Sequence, residues 1–297
     1  MPKARSSTAA AQEHGRGKSP ARARTPPRRT GAMRIGVGGW TFAPWRGTFY
    51  PAGLAQREEL AFASRALTAI EVNGTFYAAQ KPATYARWRA ETPDGFVFSL
   101  KAPRYATVRR KLAGAGRAVH GFLHGGLAEL GDRLGPVNWQ LPPTTAFDPD
   151  DLAAFFDLLP EELDGQRLRH VLEVRHPGFR CPAYIELART RGIATVFTDS
   201  AVHPSFADLT AGFVYARLMR SEASRATGYP PAALDAWARR LRTWASGGEP
   251  DDLPRVLPPA RGPAVPRDVF VFFISAAKAR NPAAAMALID HIDEQTG

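Results

Sequence analysis

From Arg34 onward the chain alternates short runs rich in valine, isoleucine and phenylalanine with stretches rich in alanine, leucine and arginine, and it does so eight times. A strand followed by a helix returns to the same edge of the sheet, so the next strand runs parallel to the first; this repetition therefore restricts the chain to the α/β class. Strand-like runs fall at 34–39, 68–73, 95–101, 136–141, 169–175, 193–199, 212–218 and 268–274. Helical patterns fall at 56–66, 82–91, 121–133, 150–158, 182–191, 231–245 and 282–294, with an irregular connection over 201–211 and a Gly/Pro-rich loop over 246–267. Lys81-Pro82, Cys181-Pro182 and Asn281-Pro282 mark helix starts, because proline is tolerated where the first helical N–H has no partner. Asn281 is expected to cap the last helix. The 264 residues from Arg34 to Gly297 match the roughly 250 residues of a (β/α)8 TIM barrel. In the alternative, an open doubly wound sheet, a phosphate-binding glycine fingerprint leads straight into a helix. Gly36, Gly38 and Gly39 have the wrong spacing for it, and no helical pattern begins before Gln56.

The net charge of +11 invites a nucleic-acid reading until the charge is located. Residues 1–32 hold Lys3, Arg5, Arg16, Lys18, Arg22, Arg24, Arg28 and Arg29 against Glu13 alone, so a tail supplies seven of the eleven charges. With no large apolar residue besides Met1, this segment cannot bury enough surface to offset its ordering entropy. The expected organisation is a disordered basic tail at 1–32, untranslated if Met33 is the true start, and one barrel domain at 33–297. No apolar run approaches the ~18 residues of a membrane span, and Cys181 stands alone, so the reading is a cytoplasmic protein with no intrachain disulfide.

Polar groups interrupt the apolar runs at their C-terminal ends: Glu71 and Asn73, Ser99 and Lys101, Gln140, Glu173, Arg175 and His176, Asp199, and Arg217. Residues two apart on a strand share a face, and barrel enzymes build their sites at this end of the strands. Buried ion pairs stabilise less well than apolar packing, so this concentration of charge points to ligand binding. Glu173 is the candidate proton-transfer group, Arg175, Arg217 and Lys101 the charge stabilisers, and Glu71, Asn73, Gln140, His176 and Asp199 further substrate contacts. Lys101 also has the chemistry of a base or Schiff-base former, against the simpler reading of a lysine paired with Glu71 or Glu173. Trp40 and Tyr77, in an aromatic cluster after the first two strands, could stack a ring, and Lys278 before the last helix could receive a phosphate. No cofactor is predicted. A divalent metal on Glu71, Glu173, Asp199 and His176 is the alternative, with Arg175 and Arg217 competing for the same carboxylates.

Several segments together resemble the family called domain of unknown function 72, or YecE-like. They are Arg34-Ile35-Gly36 with Gly39-Trp40, Trp45-Arg46-Gly47-Thr48-Phe49-Tyr50-Pro51, Glu71-Val72-Asn73-Gly74-Thr75-Phe76-Tyr77 and Phe98-Ser99-Leu100-Lys101-Ala102-Pro103. Leu134-Gly135-Pro136 with Gln140-Leu141-Pro142-Pro143, Glu173-Val174-Arg175-His176-Pro177 and Val214-Tyr215-Ala216-Arg217-Leu218 continue the series in order. The resemblance covers residues 34–294 and implies a TIM barrel but no established reaction. The commonest family pattern ends its seventh strand in Leu-His-Gly and its eighth in an Asn/Asp-rich turn. Here those places read Leu218-Met219-Arg220 and Ile274-Ser275-Ala276-Ala277-Lys278, so chemistry resting on that histidine or those Asn/Asp groups is not implied. The expectation is an acid/base enzyme acting on a small phosphorylated or carboxylated metabolite at the barrel mouth. The alternatives are a nucleic-acid or partner-binding protein using the tail and the Arg104–Lys111 loop, and a metal-dependent phosphodiesterase or isomerase.

Overall fold

Eight strands pair in parallel and close on themselves: β1 (Met33–Gly38), β2 (Ala69–Val72), β3 (Val97–Lys101), β4 (Leu134–Gln140), β5 (His170–Glu173), β6 (Ala194–Thr198), β7 (Phe213–Leu218) and β8 (Asp268–Phe273). Each strand lies beside its sequence neighbours and β8 returns to β1, with Ile35 opposite Val271 in the closing pair. The structure, a computed structural model, describes residues 30–259 and 262–294. The expectation of a disordered tail falls outside these residues except at its last three. There Gly31 N–H donates to the Ala245 carbonyl at 2.9 Å and Ala32 N–H to Asp268 Oδ1 at 2.9 Å, so the tail ends by joining the domain before Met33. No helix among the described residues is long and apolar enough to cross a membrane.

Period-2 alternation divides the buried residues into two shells. One set of strand positions, including Val37, Ile70, Leu100, Trp139, Leu172 and Phe273, packs outward against the helices. The other, Ala69, Val97, Val171, Ala194, Val196, Phe213, Tyr215, Phe270 and Phe272, fills the barrel. Gly36 is required on β1 because a Cβ there would lie 1.7 Å from the Ala69 carbonyl oxygen of β2.

The outer layer departs from expectation in three places. The helix expected over 121–133 starts earlier, at Gly116, and stops at Leu123; Gly126 then turns with φ of 112° and a 3-10 stretch Leu127–Arg133 leads directly into β4. A short hairpin, Glu162–Leu163 paired with Gln166–Arg167, precedes β5 and turns at Asp164 and Gly165, both with positive φ. Asn281 opens the last helix, Asn281–Asp293, without capping it; it accepts from Ser221 Oγ at 2.8 Å and donates to the Ser275 carbonyl at 3.3 Å. The irregular connection between β6 and β7 is pinned by Asp208, whose carboxylate accepts the Val256 and Leu257 N–H groups at 2.8 Å each.

Candidate functional site

Above the apolar filling, the inward positions turn polar: Glu71 on β2, Ser99 and Lys101 on β3, Asn138 and Gln140 on β4, Glu173 on β5, and Tyr215 and Arg217 on β7. Arg217 bridges two carboxylates across the barrel, donating from Nη1 to Glu173 Oε2 at 2.5 Å and from Nη2 to Glu71 Oε1 at 2.9 Å. All three side chains are buried. Arg175 continues the chain, with Nε 2.9 Å and Nη2 2.7 Å from Glu173 Oε1, and is oriented by Gln140 Oε1 at 2.9 Å from Nη2. Tyr215 donates to Glu71 Oε2 at 2.7 Å. Ser99 Oγ lies 2.7 Å from the phenol oxygen and 2.9 Å from the Pro136 carbonyl, so its one proton serves one of the two.

These contacts set the protonation states. Burial works to raise the Glu173 carboxyl, but Arg217, Arg175 and Lys101 overcome it and hold the group down at about 2. Burial, then Glu71, push the Tyr215 phenol well above its ordinary range. Lys101 moves the opposite way: burial, then Arg217, lower its ammonium to about 8, with Glu71 and Glu173 opposing. Its ammonium lies 4.2 Å from the centre of the Phe76 ring, and among the described residues it has no carboxylate within ion-pair distance. The expected pairing of Lys101 with Glu71 or Glu173 is therefore replaced by a cation–π contact, because Arg217 already occupies both carboxylates.

Because the folded state holds Lys101 below its unfolded value of 10.5, the folded protein releases its proton first, and stability rises with pH between about 8 and 10.5. Over that window wild type should gain about 3 kcal/mol relative to Lys101→Met, read from urea unfolding of both proteins at each pH. Equal pH profiles would show that the lysine is not desolvated.

A cleft of about 670 Å³ opens over this layer, lined by Lys101, Arg175, Arg217 and Lys278 together with Asn73, Trp40, Trp88 and Tyr77. Gly38 forms part of its floor; a Cβ there would lie 2.9 Å from both Asn73 Nδ2 and Ile274 Cδ1. Tyr77 stands at the rim, 71% exposed, whereas Trp40 packs edge-on against Trp88 with ring centres 5.1 Å apart. Lys278 lies against Phe42 and Trp45, 4.4 Å and 5.7 Å from the ring centres, and burial lowers its ammonium.

Two expected contacts point elsewhere. The His176 ring accepts from Gly178 N–H at 3.0 Å and caps the turn Pro177–Phe179. Asp199 accepts the Met219 N–H at 2.5 Å and the Tyr229 hydroxyl at 3.0 Å; burial raises its carboxyl against these bonds. Both are correspondingly absent from the cleft lining. The donor set of the metal alternative therefore does not fit a divalent cation: Glu71 and Glu173 are held by guanidinium and Asp199 is turned away. No group of three His, Cys, Asp or Glu side chains among the described residues is placed to hold a metal. In the Arg104–Lys111 loop, Lys111 pairs with Asp148 at 2.7 Å, and most of the basic tail lies outside the described residues.

The model of a family described as "Protein of unknown function DUF72" matches residues 34–297, nearly the whole barrel. The chain belongs to the DUF72 family. It is 33% identical over 162 residues to UPF0759 protein YecE of Escherichia coli K12, and spans 54% of that relative's length, about half. Solved DUF72 proteins of Thermotoga maritima and Enterococcus faecalis share the fold. The first has a TM-score of 0.65 at 18% identity, covering 89% of this chain and 99% of that one. The second has a TM-score of 0.65 at 12% identity, covering 88% and 95%. In this DUF72 chain the sequence reading missed Trp88, which reaches the cleft from the helix Pro82–Glu91, and Asn138 and Tyr215, which lie two positions from Gln140 and Arg217 on the same strand faces. For Asn138 and Tyr215 the signal was the two-residue strand period.

Proposed function

We propose that this protein is an enzyme that binds a small metabolite carrying a carboxylate or phosphate in the mouth of the barrel and transfers a proton through Lys101. The observation that carries this reading is the composition of the cleft: four cationic side chains line it, and no aspartate or glutamate among the described residues does. Glu71 and Glu173 lie behind Arg217 and balance its charge from below, leaving a site whose exposed face favours an anion. Arg175, about a fifth exposed and steadied by Gln140, offers remaining donors to the ligand's anionic group. Asn73 adds a neutral hydrogen-bonding group.

The proton-transfer role moves from Glu173 to Lys101. A carboxylate held at about 2 by two arginines is a poor base at neutral pH, whereas an ammonium at about 8 exchanges its proton there. Glu173 instead acts as a positioning residue that aims both guanidinium groups.

The test is a thermal-shift titration of the full chain with 2-oxo acids, hydroxy acids and sugar phosphates. At least one should raise the melting temperature, and Arg175→Ala should weaken that ligand tenfold or more, about 1.4 kcal/mol. Arg217 still pairs with Glu173 in this variant, so the fold is retained. Failure of every anion, or binding indifferent to Arg175→Ala, would overturn the reading.

A further inference from the structure

We infer that Lys101 is a nucleophile that captures the carbonyl carbon of an anionic carbonyl compound, a 2-oxo acid or a keto phosphate, as an imine; this rests on the anion-binding reading above and names its substrate class. The first support is the choice of side chain. The chain carries 33 arginines and only six lysines. Where it needs a fixed cation among the strand ends it uses arginine, as at Arg175 and Arg217, and an arginine does not give up its proton in a protein. The one lysine in this layer is thus placed where a removable proton and a free amine lone pair have a use.

The second support is geometry. Lys101 ends β3, is only 7% exposed and lines the cleft. No carboxylate lies within ion-pair distance of it among the described residues, although two lie in the same layer, because both are taken by Arg217. Its ammonium rests on the face of Phe76, 4.2 Å from the ring centre. Desolvation and a neighbouring cation are the two conditions that activate a lysine as a nucleophile, and both operate here, burial first and Arg217 second.

The third support is the pairing of functions. An amine needs an electrophilic carbon, while Arg175 and Arg217 beside it select a ligand with negative charge, so the complementary molecule carries both a carbonyl and an anionic group. In the reaction the neutral amine adds to the carbonyl carbon to give a carbinolamine. The carbinolamine then loses its hydroxyl and a nitrogen proton as water, leaving a C=N bond. No oxidant or reductant is consumed, and hydrolysis reverses the sequence. The positive charge of the protonated imine is offset by the substrate's own anion and by Glu71 and Glu173.

The experiment is reductive trapping on the full chain, with pyruvate and dihydroxyacetone phosphate as separate probes, acetone as the uncharged control and cyanoborohydride as the reductant, read by intact mass and peptide mapping. One equivalent should attach at Lys101 with one of the two anionic probes and not with acetone. The adduct should disappear in Lys101→Met and Lys101→Arg, both checked for folding by circular dichroism. Which probe is trapped separates a carboxylate from a phosphate ligand. As a second readout, the trapped probe should exchange the protons next to its carbonyl for deuterium in heavy water, with at least a tenfold loss of rate in Lys101→Arg. Labelling scattered over several lysines, or unchanged in Lys101→Met, overturns the inference. An Arg175-dependent thermal shift by either probe with no trapped adduct overturns the imine and leaves the anion site standing. Absence of both overturns the imine with these substrates, and the anion reading falls with it only if every anion of the wider titration fails as well.

Discussion

Arg217→Met should cost about 3–5 kcal/mol of folding stability, the largest effect expected of any single substitution in the barrel mouth. The reason is less the loss of two contacts than what remains: Glu71 would stay buried with no cation, holding only the Tyr215 hydroxyl, and Glu173 would keep Arg175 as its one cation among the described residues. Methionine fills similar volume, so cavity formation contributes little. Urea unfolding at pH 7 measures the loss. Adding Glu71→Gln and Glu173→Gln to Arg217→Met should restore much of it, since the neutral amides carry no charge to desolvate. A single-variant loss below about 1 kcal/mol, or no recovery in the triple variant, would mean that water already solvates these carboxylates.

The second large effect belongs to the opposite end of the barrel. His170, at the start of β5, accepts the Trp139 indole N–H on Nδ1 at 3.1 Å, which places its own proton on Nε2, 2.8 Å from the Pro160 carbonyl. Burial then lowers the ring to about 4 from an ordinary 6.5, with the Pro160 bond opposing. A group whose folded value is depressed binds its proton first in the unfolded chain, so stability is complete above pH 6.5 and falls as pH drops toward 4. The fall should be about 3 kcal/mol. It precedes the loss from Glu173, whose window lies between 4.5 and about 2. His170→Gln should remove the upper step while lowering stability at neutral pH, because the pairing with Trp139 is weakened. A profile flat from pH 6.5 to 4.5 in wild type would show that His170 is charged in the fold.

The barrel was legible in the chain because strand and helix periods alternate with little ambiguity, and because polar residues sit at the C-terminal end of six of the eight apolar runs. The strand period also puts Glu71, Lys101, Gln140, Glu173, Arg175 and Arg217 on the inward faces of their strands. What it did not carry was pairing. Nothing local says that Arg217 reaches both Glu71, 146 positions away, and Glu173, 44 positions away, and so leaves Lys101 without a carboxylate. Nor does the strand period show that Asp199 and His176 each accept a backbone N–H, which competes for any side chain at the end of a strand. The broken helix after Leu123 carried a readable sign in Gly125-Gly126, and the hairpin before β5 carried another in Asp164-Gly165.

One guanidinium answering to two acids from separate strands has a consequence for how such a chain diverges. Loss of Arg217 leaves Glu71 without a cation, and loss of either glutamate leaves buried guanidinium in excess of carboxylate, so a lineage crosses this layer only by compensated steps, neutral amides entering with an apolar residue in place of the arginine. Among relatives the three positions should therefore change in concert, and a sequence that keeps both glutamates without a cation at 217 should be found to draw one from a neighbouring strand.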